Sequence, residues 1–483
     1  MTKTAMLLLL VLALSASAVS CGGGTPAGGD TTAASGDTTA PQTSLFNIPK
    51  EDNGGKKFNI LVPTHTEYEF PEEATGEIVN DTLFARAQKV EDHFGIDLTY
   101  QFEVGHWNDK DIYNGFIINA VLAGDSTYDL ATGLISCTVP AFLNGIFADL
   151  NACKELNLDN PWWLAELSED LSINGKLYCV AGDANLSLYK TAIVTYFNKQ
   201  VLTDHKLEDP YQLVRDGKWT IDKLFTMAET ATADLNGDTA FDIDNDRIGC
   251  YLQDVPLRLS GCAFDIQLFG TDTSGKVIRK NDSLERLYDA YEYTKQFYEV
   301  DFLFDDEVND DFYKISIPFT EDRALFHLSY LYITEGEAMR NMKSDFGIIP
   351  YPKLDEKQEH HITPIGTATN LMFIPKTASD IDLTCRVMEA LGYYSMIDVV
   401  PAYYEVALRD KYTRDDEGPE MLEIIRDTMR LPFDSCYGTT IQLNSGASNP
   451  AALLAWADKD MASFYAEKAP AWDEVVKKMN EFK

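Results

Sequence analysis

The sequence lacks the short motifs of the commoner enzyme classes. It has no His-Glu-x-x-His pair of zinc ligands, no Gly-x-Ser-x-Gly turn, no Walker loop and no dinucleotide-binding glycine motif between a strand and a helix. Neighbouring carboxylates such as Asp305-Asp306 are expected in a chain with 77 acidic residues and carry little weight. These absences predict that the chain is not an enzyme.

Basic residues and long apolar runs are also scarce. Lysine and arginine number 40 against 77 acidic residues, so the net charge is -37 and the surface repels nucleic acid phosphates. We therefore expect no nucleic-acid partner. Beyond the N-terminal segment, no stretch reaches the ~18 consecutive apolar residues of a membrane-spanning helix. The 45% hydrophobic content suffices for the cores of two or more lobes.

The N-terminal segment predicts export and a lipid anchor. Residues 1–20 have the pattern of a signal peptide, with Lys3, an apolar run and small residues before Cys21. The segment ending at Cys21 resembles the lipobox of bacterial lipoproteins, although Ala18 stands where leucine is usual. We expect a lipid on Cys21, a flexible tether over 21–56, and a protein held on the outer surface of the cell membrane through this anchor only. Ordinary secretion is the alternative.

Seven cysteines remain when Cys21 is set aside, so at least one cannot pair within the monomer. Cys250 and Cys262 flank one short segment and are candidates for a disulfide in an exported protein. Two buried free thiols are the alternative.

The spacing of apolar residues predicts strands and helices that alternate along the chain. This order is typical of an α/β protein with doubly wound sheets. Predicted strands cover 58–62, 96–100, 129–134, 188–198, 324–328, 346–349 and 371–374. Predicted helices cover 81–94, 109–122, 283–298 and 382–394, and another begins after Thr220 as N-cap.

Several segments jointly resemble the family 1 extracellular solute-binding proteins of ABC sugar importers. They include Gly76-Glu77-Ile78-Val79-Asn80-Asp81, Ile173-Asn174-Gly175-Lys176-Leu177-Tyr178, Tyr196-Phe197-Asn198-Lys199-Gln200, Asp216-Gly217-Lys218-Trp219-Thr220, Arg323-Ala324-Leu325-Phe326, Gly347-Ile348-Ile349-Pro350-Tyr351-Pro352-Lys353, Ile374-Pro375-Lys376-Thr377-Ala378 and Lys411-Tyr412-Thr413-Arg414-Asp415. The resemblance implies a two-lobed periplasmic-binding-protein-like fold of type II, with a hinge and a central cleft. It also implies a monomer that binds a small polar ligand, a mono- or oligosaccharide above all, and passes it to ABC importer permease subunits.

The same resemblance predicts how the chain divides between the lobes. The N-terminal lobe is expected to comprise 57–180 and 362–400, and the C-terminal lobe 181–361 and 401–483.

Sugar sites combine stacking aromatic rings with side chains that hydrogen-bond to hydroxyls. Loops after the strands of such lobes face the cleft, which selects Tyr68, Trp107, Thr132, Tyr330 and Tyr332. Core tyrosines are an equal alternative for the last two. Asp183 and Asn185 follow the expected first crossing between lobes, where the family places polar ligand contacts.

No cofactor is expected to be required, but a structural calcium ion is one interpretation of an acidic loop. Asp234, Asn236, Asp238 and Asp242 alternate like the oxygen ligands of an EF-hand loop. Gly237 comes one position early and Asn245 replaces the closing glutamate. A solvated acidic loop is the alternative.

Two other functions remain open from the sequence. A secreted glycan-active enzyme could also be acidic and rich in aromatic residues, although no catalytic motif supports it. A sugar-sensing or adhesion lipoprotein without a transporter would share the same fold.

Overall fold

The structure is a computed structural model that describes residues 46–239, 242–252, 254–280, 284–299, 303–305, 316–404, 417–438, 440–441 and 460–482. The predicted signal peptide, Cys21 and the tether up to residue 45 lie outside the described residues. Within the described ranges, no helix combines the length and the apolar character needed to cross a membrane.

Thirteen strands and seventeen α-helices are described. The strands are β1 (Lys56–Pro63), β2 (Ile96–Glu103), β3 (Leu130–Leu134), β4 (Ile193–Asn198), β5 (Ile248–Leu252), β6 (Phe269–Thr271), β7 (Val277–Arg279), β8 (Leu303–Asp305), β9 (Ala324–Tyr330), β10 (Phe346–Pro350), β11 (Thr363–Pro364), β12 (Asn370–Phe373) and β13 (Met429–Arg430). The helices are α1 (Ile78–Phe94), α2 (Lys110–Ala123), α3 (Ile135–Thr138), α4 (Ala165–Leu171), α5 (Leu186–Lys190), α6 (Lys199–His205), α7 (Pro210–Arg215), α8 (Ile221–Ala231), α9 (Asp254–Arg258), α10 (Ser260–Ala263), α11 (Leu284–Glu299), α12 (Ile317–Thr320), α13 (Glu337–Arg340), α14 (Ile381–Tyr394), α15 (Gly418–Asp427), α16 (Phe433–Tyr437) and α17 (Met461–Glu481).

The first sheet has the strand order β12-β3-β1-β2, with β12 antiparallel and the other strands parallel. Ile60, Leu61 and Val62 are all fully buried, as expected for a parallel strand covered on both faces. Gly95 follows the last residue of helix α1 and caps it, with a left-handed φ of 59°. A Cβ there would lie 2.8 Å from the Asp52 Cα, so glycine is required at this position.

The second sheet has the order β10-β4-β9-β5-β8 and mixes parallel and antiparallel pairs. The prediction of a continuous strand over 188–198 is wrong in its first part, because residues up to Lys190 form α5 and the strand begins at Ile193. The Ser187 amide near the start of α5 donates to the Glu69 carboxylate at 2.6 Å. An acceptor from a distant segment thus satisfies an amide of this short helix, which local periodicity cannot reveal.

Three chain segments run side by side between the two sheets. Isolated bridges pair Val180 with Met372 and Ala192 with Ile365, so the outgoing and returning segments are neighbours. β11 also pairs with β13, which adds a third segment. These segments are the structural hinge of a two-lobed α/β protein. The residue boundaries of the two lobes stay a prediction.

A buried carboxylate on α14 links this helix to residues 157–163 through hydrogen bonds. Glu389 accepts hydrogen bonds from the Asn157 amide (2.5 Å), Asn160 Nδ2 (2.9 Å), Trp162 Nε1 (2.7 Å) and Trp163 Nε1 (3.1 Å). Glu389 is 1% exposed. Desolvation raises its pKa, while these four donors oppose that rise by stabilising the charged form. Both indoles therefore have a structural role.

The seven cysteines of the described chain are buried and free. Cys250 lies in β5 and Cys262 in α10, and burial raises the pKa of both thiols. In the structure, Cys250 and Cys262 are therefore two buried free thiols rather than a disulfide.

Candidate functional site

The structure brings some of the predicted ligand residues together at the crossing and leaves others elsewhere. Tyr68 lies in a 3-10 segment, Thr64–Glu69, directly after β1. Thr132 lies inside β3, fully buried, with its hydroxyl 3.4 Å from the Leu61 carbonyl. Trp107 begins a 3-10 segment after β2, and its side chain lies outside the described part. Of Tyr68 and Thr132, Tyr68 is the one that joins the residues of the crossing.

Tyr68 contacts a lysine that pairs with a glutamate, and the sequence singled out neither of the two charged residues. The Lys190 ammonium at the end of α5 lies 4.6 Å from the centre of the Tyr68 ring and 2.6 Å from Glu335 Oε2. The side chains of Lys190 and Glu335 are 18% and 23% exposed. Lys190 therefore connects the segment after the first sheet to the second sheet, because Glu335 follows β9.

Two further predicted residues, Tyr330 and Tyr332, stack on each other in the segment that leads to Glu335. Their ring centroids are 5.3 Å apart and their planes differ by 18°. Tyr330 ends β9 and is buried, whereas Tyr332 is half-buried in the following 3-10 segment. The Tyr196 hydroxyl donates to the Tyr330 and Leu331 carbonyls at 3.0 and 3.1 Å, which fixes this turn. We call Tyr68, Lys190, Tyr330, Tyr332 and Glu335 the cleft cluster.

The second carboxylate oxygen of Glu335 is the unsatisfied acceptor of the cleft cluster. Glu335 Oε1 is buried and has no hydrogen-bond partner among the described residues. A buried carboxylate oxygen without a donor carries a desolvation cost that a bound hydroxyl would remove. The cleft cluster therefore offers one strong acceptor beside aromatic rings.

The predicted residues Asp183 and Asn185 lie on the outgoing segment. The Tyr189 hydroxyl donates to Asp183 Oδ1, and Arg426 Nη2 lies 3.4 Å from Asp183 Oδ2. Asn185 Oδ1 accepts from the Gly182 amide at 3.3 Å, and its buried Nδ2 has no partner in the described ranges. Asp183 is thus held in an internal ion pair, and Asn185 retains a donor.

Buried tyrosines connect the Asp183 group to the cleft cluster. The Tyr404 ring meets Tyr189 edge-on at 5.6 Å. Burial raises the pKa of Tyr403 well above its usual value, and the nearby Glu335, Tyr404 and Tyr68 raise it further. The hydroxyls of Tyr403 and Tyr404 are buried without partners among the described residues. The two groups therefore form one polar, aromatic region.

A buried network anchors the segment that carries Tyr68. Glu69 accepts from the Ser187 amide (2.6 Å) on the outgoing segment and from Asn370 Nδ2 (2.7 Å) on the returning one. Arg86 of α1 donates to the carbonyls of Glu69 (2.6 Å) and Ala184 (3.0 Å). Desolvation raises the pKa of Glu69, and the bonds from Asn370 and Ser187 oppose the rise. This network holds Tyr68 above Lys190 across the hinge.

Sequence reasoning missed Lys190, Glu335, Arg426, Tyr189, Tyr403 and Tyr404. None of them belongs to a short motif, and Lys190 lay inside a segment predicted as strand. Glu335 follows the same strand as Tyr332, so a wider search after each strand could have included it.

In the described part of the acidic loop, the carboxylates accept hydrogen bonds from amides of their own loop. Asp234 accepts from the Gly237 and Thr239 amides at 2.6 and 2.9 Å, and Asn236 Nδ2 donates to Asp238. Asp242 Oδ1 accepts from the Asp244 and Asn245 amides. Within the described residues, no group of three or more His, Cys, Asp or Glu side chains is arranged to hold a metal. The carboxylates thus have partners without a metal ion, and calcium binding stays a prediction.

Removing calcium should therefore leave stability unchanged. We expect the same melting temperature in EGTA and in millimolar calcium, because the carboxylates already bind the amides of their own loop. Differential scanning calorimetry checks this. A rise with calcium that disappears in Asp234→Asn would show that the loop rearranges around the ion.

Comparison with known proteins places this geometry in a known fold. No protein-family model and no curated protein sequence matches the chain. Among solved structures, the galacto-N-biose-/lacto-N-biose I-binding protein of a Bifidobacterium longum ABC transporter matches with a TM-score of 0.58 at 13% identity, over 89% of this chain and 99% of its own. The GacH receptor of Streptomyces glaucescens matches with a TM-score of 0.53 at 15% identity, over 88% and 99%.

This chain has the solute-binding-protein fold. An ABC transporter solute-binding protein from Thermotoga lettingae, bound with α-D-tagatose, adds a third match, with a TM-score of 0.51, 15% identity, and coverage of 89% and 100%. The predicted α/β, two-lobed fold class is confirmed. In the solute-binding-protein fold, the cleft cluster lies where the chain crosses between the two sheets. The three matched structures are of binding or receptor proteins rather than enzymes.

Proposed function

We propose that this chain is a solute-binding protein that captures a mono- or oligosaccharide for an ABC importer. The observation that carries the proposal is the buried Glu335 Oε1, which has no hydrogen-bond partner among the described residues, in the same segment as the stacked Tyr330 and Tyr332 rings. A sugar presents hydroxyl donors around an apolar ring face, so it satisfies the carboxylate and stacks on an aromatic ring together.

The ionisable groups of the region favour an uncharged ligand. Lys190 pairs with Glu335 and Arg426 with Asp183, so each acid is balanced by a cation. A charged ligand would have to replace one of these partners and leave a buried charge without compensation. The same pairing counts against a glycosidase, which uses one carboxylic acid as a proton donor and a second carboxylate as base or nucleophile.

The anchor and the location are part of the proposal. A lipid on Cys21 would tether the chain to the outer surface of the cell membrane, where a captured sugar can pass to permease subunits. Two acyl chains give the stable attachment that a single chain does not.

Sugar binding should raise the melting temperature of the protein. At a ligand concentration 100 times the dissociation constant, mass action adds about 2.7 kcal/mol of stability. A thermal-shift screen of mono- and oligosaccharides, with amino acids and short peptides as comparison, measures this. Tyr332→Ala should lose the shift, whereas Tyr288→Ala, an exposed tyrosine on α11, should keep it.

The recovered ligand separates the alternatives. Mass spectrometry of an intact sugar supports capture, and a cleaved sugar would show that the chain is a glycan-active enzyme. A screen in which only peptides or amino acids stabilise the protein would contradict the carbohydrate proposal. Sugar binding by a protein whose deletion leaves uptake of that sugar unchanged would favour a sensor or adhesin.

A further inference from the structure

The last residues of the predicted tether lie against the folded part of the chain. Phe46 is 9% exposed, and its ring stacks on the Tyr393 ring near the end of α14, with 4.8 Å between the centroids and 9° between the planes. The His93 ring of α1 and the Trp162 ring meet it edge-on, at 5.1 and 6.4 Å. Phe46 therefore fills an aromatic site to which three separate segments contribute.

Hydrogen bonds continue this contact along the chain towards β1. The Glu51 amide donates to the His93 carbonyl at 2.9 Å. The backbone amide and the side-chain Nδ2 of Asn53 both donate to the Phe94 carbonyl, at 3.1 and 2.7 Å. These bonds satisfy carbonyl groups in the last turn of α1. We call residues 46–55 the N-terminal strap, because they are held along the end of α1 before the chain enters β1.

The N-terminal strap contains the first lysine or arginine after Cys21. Residues 22–49 contain neither, so Lys50 is the first position where a protease of trypsin specificity could cut between the predicted lipid and the folded part. The next two such residues, Lys56 and Lys57, lie in β1, which is paired with β2. Hydrolysis after Lys50 adds one water across the peptide bond and separates all later residues from Cys21.

We propose that the N-terminal strap keeps the protein on the cell surface by shielding the peptide bond after Lys50 from proteases that cut beside basic residues. Lys50 itself is exposed, but Phe46 on one side and Glu51 and Asn53 on the other hold its backbone in place. A protease needs the chain on both sides of the bond in an accessible form, so it cuts only when the strap opens locally. The role in retention rests on the proposed lipid anchor, whereas the shielding does not.

Limited proteolysis of the purified, folded full chain with trypsin tests the shielding. Mass spectrometry follows the product that begins at Glu51. We expect slow cleavage of the wild-type protein and cleavage at least roughly 10-fold faster in Phe46→Ala, because loss of the buried ring favours the open strap. Asn47→Ala is the matched control, since Asn47 is exposed in the same strap and its replacement should leave the rate unchanged. Equal rates for Phe46→Ala and the wild-type protein would overturn the proposal.

A second variant keeps the test decisive if Phe46→Ala is cut throughout the folded part and is therefore unfolded. Asn53→Ala removes one hydrogen bond to the Phe94 carbonyl and should speed cleavage after Lys50 by roughly 5-fold. An unchanged rate in this variant would then contradict the shielding.

The retention role is read separately from the shielding. On whole cells, trypsin should release Phe46→Ala into the medium faster than the wild-type protein. The masses of the fragments report on the strap whether or not Cys21 carries a lipid. A full chain that partitions into water rather than detergent would contradict the anchor, and with it the retention role.

Discussion

Replacing Glu335 by glutamine should weaken sugar binding by roughly 10- to 100-fold, since hydrogen bonds to a charged acceptor contribute about 1.5–3 kcal/mol each. The amide keeps the size of the carboxylate but removes its charge. It also has one acceptor oxygen instead of two, so it cannot accept equally strong hydrogen bonds from the ligand and from Lys190. Lys190 then stays partly buried without its counter-ion, 2.6 Å from the altered group. Isothermal titration calorimetry with a sugar from the screen measures the change in Kd.

Glu337→Gln is the matched control for this prediction. Glu337 begins α13, two residues after Glu335, and is exposed. The control removes the same charge from the same surface region without touching the cleft cluster, so its Kd should match that of the wild-type protein. Equal affinities for Glu335→Gln and the wild-type protein, with unchanged circular dichroism, would show that the unsatisfied oxygen faces no ligand.

Replacing Glu389 should destabilise the fold without involving the cleft cluster. Glu389→Gln puts an amide NH2 in place of one carboxylate oxygen, and in either orientation that group faces two of the four donors from residues 157–163. Each buried donor left without an acceptor costs about 1–3 kcal/mol, so the free energy of unfolding should fall by roughly 3 kcal/mol. Urea denaturation followed by tryptophan fluorescence measures this and also reports on Trp162 and Trp163 directly.

Asp382→Asn provides the comparison for Glu389→Gln on the same helix. Asp382 is an exposed acid in the first turn of α14. Its loss removes a favourable charge near the helix N-terminus, worth about 0.3–1 kcal/mol. Similar denaturation midpoints for the two variants would show that the four buried hydrogen bonds of Glu389 do not contribute the expected stability.

Much of the architecture could be predicted from the sequence because its signals are local. The apolar runs near 58–62 and 346–349 became β1 and β10, and the helical spacing before Gly95 became α1. Thr220 caps α8 as predicted, with its hydroxyl accepting from the Lys223 amide at 3.4 Å. Hydrophobic periodicity and caps act within a few residues, so they can be recognised without the fold.

The candidate site was predicted in part. Tyr68 and Tyr332 lie in the segments that follow β1 and β9, and Tyr330 is the last residue of β9, so the rule that searches the ends of strands selected them. Thr132 failed the same rule because the structure puts it inside β3 rather than after it. No sequence pattern indicated the two cations, Lys190 and Arg426, because the acid that each of them pairs with lies far away in the chain.

The sequence by itself determined the α/β class, most helix and strand positions, the acidic character and the absence of recognisable catalytic motifs. Only the tertiary structure decided which polar groups meet. Lys190 and Glu335 are 145 residues apart in sequence, and Arg426 and Asp183 are 243 apart. Strand order and the three neighbouring segments of the hinge create these contacts. Charge pairing and desolvation depend on distances in space, which local propensities do not encode.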